Sequence, residues 1–471
     1  MAGDSIYKVI DKEDIVFFEE TIGEEYILKK DEQLLEYSKD YTEDLLFMPE
    51  LVLLPKNSLE ISKILTYCNS KKIPVTPRGA GTGLAGAALP VYGGIVLATS
   101  RLNKILNIDL NNFQMTTEPG VINQLLKDEL AKYNLAYPPD PASKGSCFIG
   151  GNIAHSSGGP QALKYGTTKD YVLNLEVVLP TGEILWTGAN TLKNSTGYNL
   201  TQLFIGSEGT LGVVTKIVLK IVPLVSHQSL LIAAFDNITD ACAAVSPLFL
   251  AGLQPLAVEL LDKTGVKMVC EYKKISNPFP AGNYFLMLAY EGSDIHDFEK
   301  IADKTYEVCI AHNLKDMLLA DTTDMQNTFW NIRRSIGEVA KLVSIYKEED
   351  TIVPRSALPE LVEEVERLAL IYGFRTVCYG HAGDGNLHIN ILKDNMTDQK
   401  WDIELPKAIT KIFEKCKELG GTISGEHGIG WVQKPYMSIV LNDTHFRLLR
   451  GIKNVFDPNG IMNPGKIFDA K

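Results

Sequence analysis

Residues 77–87 read PRGAGTGLAGA, and the glycines at 81, 83 and 86 give this stretch the spacing G-x-G-x-x-G. In a dinucleotide-binding Rossmann unit, this motif follows a strand, opens a helix and precedes an acidic residue about 20 positions later. The preceding IPVTPR has the pattern of a strand, but only LAGAAL separates the loop from the next proline. Arg101 stands where the acidic residue belongs. The stretch therefore argues against an NAD-binding Rossmann unit.

The loop nevertheless has the chemistry of a phosphate site, because glycines expose backbone N–H groups and permit the positive φ angles of an anion nest. The alternative is a glycine-rich turn between two strands. Two further segments are also rich in small polar residues: DPASKGSCFIGGNIAHSSGGPQALKYG (140–166) and LFIGSEGTLGVVT (203–215). Such loops bury themselves poorly, which favours a large flat ligand against them.

These three segments together resemble the FAD-binding domain of the vanillyl-alcohol oxidase / p-cresol methylhydroxylase superfamily, over about residues 45–222. The resemblance implies that the first loop holds the FAD pyrophosphate, the second contacts the isoalloxazine and pyrophosphate, and the third contacts the adenosine region. Some members attach FAD through a histidine in the first loop; Thr82 stands there in this chain, which implies non-covalent FAD. The residues expected to bind FAD are Pro77, Arg78, Gly79, Ala80, Gly81, Thr82, Gly83, Leu84, Ser143, Gly145, Ser146, Gly150, Gly151, Asn152, Ser156, Ser157, Gly158, Glu208, Gly209, Val214 and Asn463.

A cluster of histidines marks the second half of the chain. GHAGDGNLHIN (380–390) supplies His381 and His388, and SGEHGIG (424–430) supplies Glu426 and His427. Two imidazoles and one carboxylate are a common ligand set for a divalent metal with an open coordination position. A further histidine beside such a site suits proton transfer near neutral pH. The alternative is a loop with solvated histidines.

These segments, with NPGKIF (463–468), resemble the FAD-linked D-2-hydroxyacid dehydrogenases, and this likeness covers about residues 40–468. That group includes D-lactate dehydrogenases, D-2-hydroxyglutarate dehydrogenase and the glycolate oxidase D-subunit. The resemblance implies a divalent metal, zinc or manganese, on His381, His388 and Glu426. It also implies His427 as the catalytic base, Asn390 near the substrate and Arg333 on the substrate carboxylate.

The expected reaction is therefore the oxidation of a D-2-hydroxy acid to a 2-oxo acid, with hydride transfer from C2 to flavin N5. A guanidinium binds a carboxylate through two parallel bonds, although Arg333 also fits a surface position. Hydroxyglutarate enzymes carry a threonine and a lysine after the arginine, where this chain has Gly337 and, near the second place, Glu348, with Lys347 one residue off. D-lactate or glycolate is thus favoured over D-2-hydroxyglutarate.

Composition limits the compartment and the partners. The net charge of −12 argues against a nucleic-acid partner, and no apolar run approaches the length of a membrane helix. Seven scattered cysteines suit a reducing compartment and disfavour an iron–sulfur cluster in this chain. We expect a cytoplasmic enzyme, or one peripheral to a membrane through a partner. Its electron acceptor is expected to be a quinone, an electron-transfer flavoprotein or an iron–sulfur partner chain.

The pattern of elements predicts an α+β fold. The expected parts are a helical lead-in (1–44), an FAD-binding domain (45–224), a substrate or cap domain with an antiparallel sheet and the metal site (225–420), and a C-terminal segment that returns to the flavin (421–471). In the cap domain we predict helices near 238–251, 294–312, 325–343, 356–372 and 400–419, and strands at 229–235, 284–290, 374–380 and 387–392. The last helix is predicted at 443–456.

Three rival functions share parts of these patterns. A non-redox flavoenzyme similar to alkylglycerone-phosphate synthase would have the same FAD domain. A metal-dependent hydrolase would use the histidine cluster without a flavin. A non-catalytic subunit would bind FAD alone, although a Glu-His pair beside a metal site disfavours it.

Overall fold

A computed structural model describes residues 6–42 and 45–469. The chain divides into two compact units. Unit 1 comprises Met1–Gly158, Thr167–Leu224 and Glu426–Lys471, and unit 2 comprises Gly159–Gly166 and Val225–Gly425. Within the described ranges, no helix combines the length and the apolar character that crossing a bilayer requires.

The secondary structure is mixed. The strands are β1 (Ile27–Leu28), β2 (Leu51–Leu53), β3 (Val75–Arg78), β4 (Ile95–Ala98), β5 (Ile105–Asp109), β6 (Gln114–Thr117), β7 (Leu135–Ala136), β8 (Val172–Val178), β9 (Ile184–Trp186), β10 (Val213–Lys220), β11 (Val222–Pro223), β12 (His227–Phe235), β13 (Ala257–Asp262), β14 (Tyr284–Gly292), β15 (Asp316–Ala320), β16 (Tyr346–Ile352), β17 (Arg375–His381) and β18 (Asn386–Leu392). The helices are α1 (Lys12–Ile22), α2 (Asp31–Tyr37), α3 (Ser58–Lys71), α4 (Asn123–Ala131), α5 (Ile149–His155), α6 (Ala162–Tyr165), α7 (Leu200–Phe204), α8 (Ile238–Leu250), α9 (Lys263–Lys273), α10 (Asp297–Ile310), α11 (Thr323–Val343), α12 (Leu358–Tyr372), α13 (Leu405–Glu418), α14 (Met437–Val440) and α15 (Asp443–Phe456).

Unit 1 contains two main sheets. The first has the order β1-β2-β4-β3, with β4 parallel to both β2 and β3, and the second has the antiparallel order β5-β6-β10-β8-β9. Asn57 caps the start of helix α3, because its side chain accepts from the N–H of Glu60 at 2.9 Å. The helix buries Ile61, Ile64 and Leu65 against the first sheet. No helix lies between β3 and β4 in the described stretch, which confirms that the glycine loop does not open a Rossmann helix.

The end of the chain returns to unit 1. Met462 forms a parallel bridge with Val75 of β3, and both side chains are buried in the same core. The C-terminal residues therefore lie beside the strand that leads into the glycine loop.

The described part of unit 2 holds a seven-stranded sheet, order β15-β12-β14-β13-β17-β18-β16, with every pair antiparallel. Alternate residues of β12, Leu230, Ile232 and Ala234, point into a core shared with α9 and α11. The α+β prediction is confirmed, and the predicted helices and strands of this half are present. The prediction of one helix at 400–419 was incomplete, because Lys400–Glu404 is a π-helical turn that continues into α13. Strands β13, β15 and β16 and helix α9 were not predicted.

Candidate active site

The three glycine-rich segments meet within unit 1. A β-carbon built on Gly79 would lie 3.7 Å from the backbone nitrogen of Gly151, so the first loop touches α5. A β-carbon on Gly209 would lie 3.2 Å from the ring of Pro77, and the N–H of Glu208 donates to the carbonyl of Ala154 at 2.9 Å. Residues far apart in sequence thus line one region, as expected if they share a ligand.

This region has the features of a cradle for a phosphate-bearing cofactor. β-Carbons built on Gly145 and Gly151 would meet no atom within 4 Å, so both glycines face open space. Arg78, at the end of β3, is buried, and among the described residues its Nη1 has no hydrogen-bond partner. An unpaired buried guanidinium nitrogen beside a glycine loop fits an anionic ligand such as a pyrophosphate.

The C-terminal segment closes this part of unit 1. Asn463 donates from its backbone to Val75 at 2.7 Å, and its side chain donates to the carbonyls of Ala87 and Glu208 at 2.9 and 2.7 Å. It therefore ties the first and third glycine segments together. Nearby, burial lowers the pKa of the Lys466 amine to about 7, and this amine donates to the carbonyl of Leu89 at 2.5 Å.

The other residues predicted to contact FAD lie within or beside these three glycine-rich segments. Ala80, Gly81, Thr82, Gly83 and Leu84 follow β3. The remaining predicted contacts lie before, within or after α5, or in β10: Ser143, Ser146, Gly150, Asn152, Ser156, Ser157, Gly158 and Val214. All of them belong to unit 1.

Glu426 and His427 open the last stretch of unit 1. A β-carbon on Gly158 would lie 2.8 Å from Oε2 of Glu426, so this carboxylate reaches the end of the second glycine segment. Glu426 directly follows Gly425, the last residue of unit 2. The predicted metal ligand Glu426 and the predicted base His427 are therefore the first two residues of unit 1 after unit 2 ends.

Unit 2 brings the two predicted metal-binding histidines together. His381 ends β17, and His388 lies on β18, where the antiparallel register pairs it with Tyr379. The two imidazole centroids are 5.4 Å apart and the rings stand at 83°. Both side chains are buried, which differs from the alternative of solvated histidines.

Glu259 of β13 joins one of these histidines to the predicted substrate arginine. It is fully buried, and one oxygen accepts from Nε and Nη2 of Arg333 at 2.7 and 2.6 Å. The other oxygen lies 2.7 Å from Nδ1 of His381. Burial opposes ionisation of Glu259, but its interactions with His381 and Arg333 outweigh burial and hold the pKa of its carboxyl below the ordinary value.

This arrangement fits a metal ligand. In the neutral imidazole of His381, donation of Nδ1–H to Glu259 leaves Nε2 without a proton and with the lone pair that a metal needs. Metal-binding histidines characteristically donate their second nitrogen to a carboxylate in this way. Arg333 is buried while its neighbour Arg334 is exposed, which rules out the surface alternative for Arg333.

Two other side chains of unit 2 surround this group. Asn390 is fully buried, and within the described residues neither its amide oxygen nor its amide nitrogen has a hydrogen-bond partner. Tyr379 lies under the Arg333 guanidinium, with 4.7 Å between the guanidinium carbon and the ring centroid, and its hydroxyl donates to Glu348 at 3.2 Å. Burial and the Glu348 carboxylate raise the pKa of Tyr379 well above its ordinary value, so the hydroxyl stays neutral.

Sequence reasoning missed the carboxylates of β16. Asp350 accepts from the side chain of Asn386, from the hydroxyl of Ser424 and from the N–H of Gly425, at 2.8, 2.9 and 2.8 Å. It thus fixes the backbone immediately before Glu426. A run of three acidic residues, Glu348–Asp350, gave no signal of burial in the sequence, and Glu259 stood alone in an apolar stretch.

Two family models match the chain, one described as the FAD binding domain over residues 49–188 and one described as FAD linked oxidases, C-terminal domain, over residues 224–467. The chain belongs to the FAD-linked oxidase family. Both matches confirm the predicted resemblance, and the first confirms that the chain contains an FAD-binding domain.

Named relatives align with this FAD-linked oxidase over most of their length. The glycolate oxidase subunit GlcD of Bacillus subtilis is 39% identical, with 92% of each chain covered. The D-lactate dehydrogenase of Anaerostipes hadrus is 37% identical and covers 92% of this chain and 93% of its own. A probable mitochondrial D-2-hydroxyglutarate dehydrogenase of Oryza sativa is 32% identical, covering 98% of this chain and 82% of its own.

Solved structures place the fold. A p-cresol methylhydroxylase with bound substrate superposes with a TM-score of 0.79 at 17% identity, covering 97% of this chain and 96% of its own. An alkyldihydroxyacetonephosphate synthase superposes with a TM-score of 0.75 at 19% identity, covering 98% and 87%. Because these identities are low, the likeness establishes the fold, as the superfamily resemblance predicted, and carries no conclusion about substrate.

For this FAD-linked oxidase, several expectations stay predictions. They are the non-covalent attachment of FAD, the zinc or manganese ion, the roles of the individual residues, the electron acceptor and the cytoplasmic location. All seven cysteines lie within the described residues, and each is free and buried.

Proposed function

We propose that this FAD-linked oxidase converts a small D-2-hydroxy acid, D-lactate or glycolate being favoured, into the 2-oxo acid. The observation that carries the proposal is the buried Glu259 carboxylate, which holds both Arg333 and His381. A carboxylate-binding group and a metal-binding group on one anchor suit a substrate that has a carboxylate next to a hydroxyl. Relatives named for glycolate and D-lactate support the same class.

FAD would accept the hydride from C2, and a divalent metal on His381, His388 and Glu426 would lower the pKa of the 2-hydroxyl. Glu259 engages Nε and Nη2 of Arg333, so Nη1 lies outside that pair and would bind the substrate carboxylate. The imidazole of His427 would take the hydroxyl proton. The buried, unbonded amide of Asn390 would complete its hydrogen bonds with the substrate.

The surroundings of Arg333 favour a substrate with one carboxylate. Gly337 lies one helical turn after Arg333 on α11, and a β-carbon there would lie 2.6 Å from the hydroxyl of Tyr379. No threonine side chain fits at this position unless Tyr379 moves. Glu348, bonded to that hydroxyl, adds a negative charge where a second substrate carboxylate would need a cation.

The test is an anaerobic titration of the purified protein with a panel of D- and L-2-hydroxy acids, followed at the flavin band. We expect D-lactate or glycolate to bleach the band and a chelator to slow the bleaching. A higher kcat/KM for D-2-hydroxyglutarate than for D-lactate would overturn the substrate choice. Activity on an acyl dihydroxyacetone phosphate without bleaching would favour the synthase alternative, and a colourless protein the hydrolase.

The base is tested by His427→Ala, with His296→Ala as the matched control because His296 is exposed and lies at the start of α10. We expect His427→Ala to retain its FAD spectrum and to lose bleaching by substrate, while His296→Ala behaves as the unmodified protein does. Full bleaching by His427→Ala would remove this residue from the role of base.

Reoxidation of the flavin is the second half of the reaction. We propose an acceptor other than NAD, because the glycine loop opens no Rossmann helix and the described residues contain no grouped thiolates for a cluster. A quinone, an electron-transfer flavoprotein and an iron–sulfur partner chain are the candidates. Each is tested as an oxidant of the substrate-reduced enzyme, and rapid reoxidation by NAD would contradict the proposal.

A further inference from the structure

The backbone that follows His427 is held by a buried carboxylate of unit 1. Glu208 accepts from the N–H of Ile429 at 2.7 Å with one oxygen and from the N–H of Gly430 at 2.6 Å with the other. Glu208 is 5% exposed and lies 221 and 222 residues away in sequence from these two donors. Burial raises the pKa of Glu208, but both of its oxygens accept from N–H groups, as in a carboxylate, so this part of the loop is held at two points.

A second side chain holds His427 itself. Nδ1 of His155 lies 2.9 Å from the carbonyl oxygen of His427, so this nitrogen carries the proton and donates. His155 is the last residue of α5, in the segment predicted to contact FAD. The two contacts fall on either side of Gly428, and together they fix both peptide groups next to it.

Gly428 shows how closely the loop lies on these two side chains. Its φ is +86°, and a β-carbon there would lie 2.8 Å from Oε1 of Glu208 and 2.8 Å from Nδ1 of His155. The close approach leaves room for glycine only, because a side chain would displace one of the two partners. The backbone next to His427 therefore lies in direct contact with the side chains of Glu208 and His155.

The backbone of Glu208 is strained and is held in place by hydrogen bonds on both sides. Its φ of 53° lies in the left-handed region, which costs energy for a residue with a side chain and persists only where neighbours enforce it. Its N–H donates to Ala154, and its carbonyl accepts from the side chain of Asn463. Such strain concentrates at functional sites, where it orients a group.

We propose that Glu208 and His155 are positioning residues that fix the His427 imidazole for proton removal. This inference rests on the proposed function and deepens it by naming what holds the base. Neither residue exchanges a proton with the substrate; they act through the loop backbone.

The experiment compares Glu208→Gln with Glu176→Gln in the holoenzyme. Glu176 is a buried carboxylate of unit 1 that accepts from Thr215 and Lys216 on the neighbouring strand β10 and does not contact the loop. Glutamine at 208 keeps one acceptor and turns an NH2 group toward a backbone N–H, so one end of the loop is released. Misplacement of a catalytic group by about 1 Å costs about 10²-fold in rate.

We expect Glu208→Gln to lower the rate of flavin reduction by about 10²-fold. KM, FAD content and metal content should be unchanged, and hydrogen exchange in a peptide spanning 427–432 should be faster. Glu176→Gln should match the unmodified enzyme in all of these. His155→Ala, which removes one hydrogen bond to the loop, should cost about tenfold in rate. Glu208→Asp should recover part of the lost rate, because it restores the charge.

Each result decides the inference. If the unmodified flavin is not reduced by any 2-hydroxy acid, the proposed function fails and the inference fails with it. If it is reduced, and Glu208→Gln is as fast or its loop exchanges at the original rate, only the positioning role is overturned. A slow variant that has lost FAD or metal would assign Glu208 to binding and would also overturn positioning.

Discussion

Replacing Glu259 by glutamine tests the anchor of the proposed site. Glutamine has the shape of glutamate but no charge, so the buried Arg333 guanidinium loses its anionic partner. The Nδ1–H group of His381 loses a charged acceptor at the same time. Because both groups depend on one carboxylate, a single substitution should affect substrate binding and metal binding together.

The expected losses of stability and metal affinity follow from the three hydrogen bonds that Glu259 accepts. Removing one partner of a buried ion pair costs about 3–5 kcal/mol, and glutamine should lie near the lower end, about 3 kcal/mol, because one oxygen still accepts. Losing the carboxylate behind a metal-binding histidine lowers metal affinity by about 10- to 100-fold. The control is Asp236→Asn in the same unit, whose carboxylate and whose partner Lys315 are both exposed, so its cost should be about 1 kcal/mol or less.

The assay combines chemical unfolding, metal titration against a competing chelator, and anaerobic flavin reduction at several substrate concentrations. Glu259→Gln should lose stability, bind metal more weakly and show a higher KM, with FAD still bound in unit 1. A variant with unchanged metal affinity and unchanged KM would refute the reasoning, because Arg333 and His381 would then not depend on Glu259 for their function.

Three further substitutions test other parts of the site. Gly151→Val should abolish FAD binding without loss of stability, because the added side chain would occupy the space proposed for FAD. Gly451→Val on α15, which also faces open space, should retain FAD. Equal FAD content in the two proteins would contradict the proposed cradle. Arg333→Lys should weaken substrate binding by about 10- to 100-fold, the worth of about 1.5–3 kcal/mol for a charged hydrogen bond, while Arg334→Lys should change little, as steady-state KM values would show. Because the pKa of Lys466 is about 7 in the folded protein and about 10.4 in the unfolded chain, its burial penalty is full below pH 7 and disappears as pH rises to about 10.4. Lys466→Met should therefore stabilise the FAD-free protein at pH 7, by at most about 4 kcal/mol, and this gain should fall towards pH 10 in urea unfolding; a gain independent of pH would show that Lys466 is not the titrating group.

The sequence was sufficient to predict the helices and strands whose apolar residues recur at a regular spacing along one face. Helix α11 was predicted at 325–343 and spans Thr323–Val343, because its apolar residues recur at helical spacing. The glycine segments could also be found in the sequence, because a high density of glycine is visible in the local composition itself. The proximity of the His381 and His388 imidazoles followed from a short turn between two strands.

Strands β13 and β16 were missed for a physical reason. β16 reads YKEEDTI, whose charged residues predict an exposed loop, yet Glu349 and Asp350 are buried. A carboxylate is buried only where donors from other parts of the chain satisfy it, and no local pattern announces those donors. The buried carboxylates of β16 are therefore the reason why the sequence pattern did not predict a strand there.

The same argument separates the two kinds of residue in this site. Groups proposed to touch a ligand, such as His381 and His427, have the required chemistry in their own side chains and can be found in the sequence. Groups proposed to position them contact residues 74 to 222 positions away in the sequence, as Glu259 contacts Arg333 and Glu208 contacts Gly430. Their chemical type is common and their burial is decided by the tertiary fold. A buried carboxylate that accepts from a proposed catalytic group or from its backbone is thus the feature that the structure adds to the sequence.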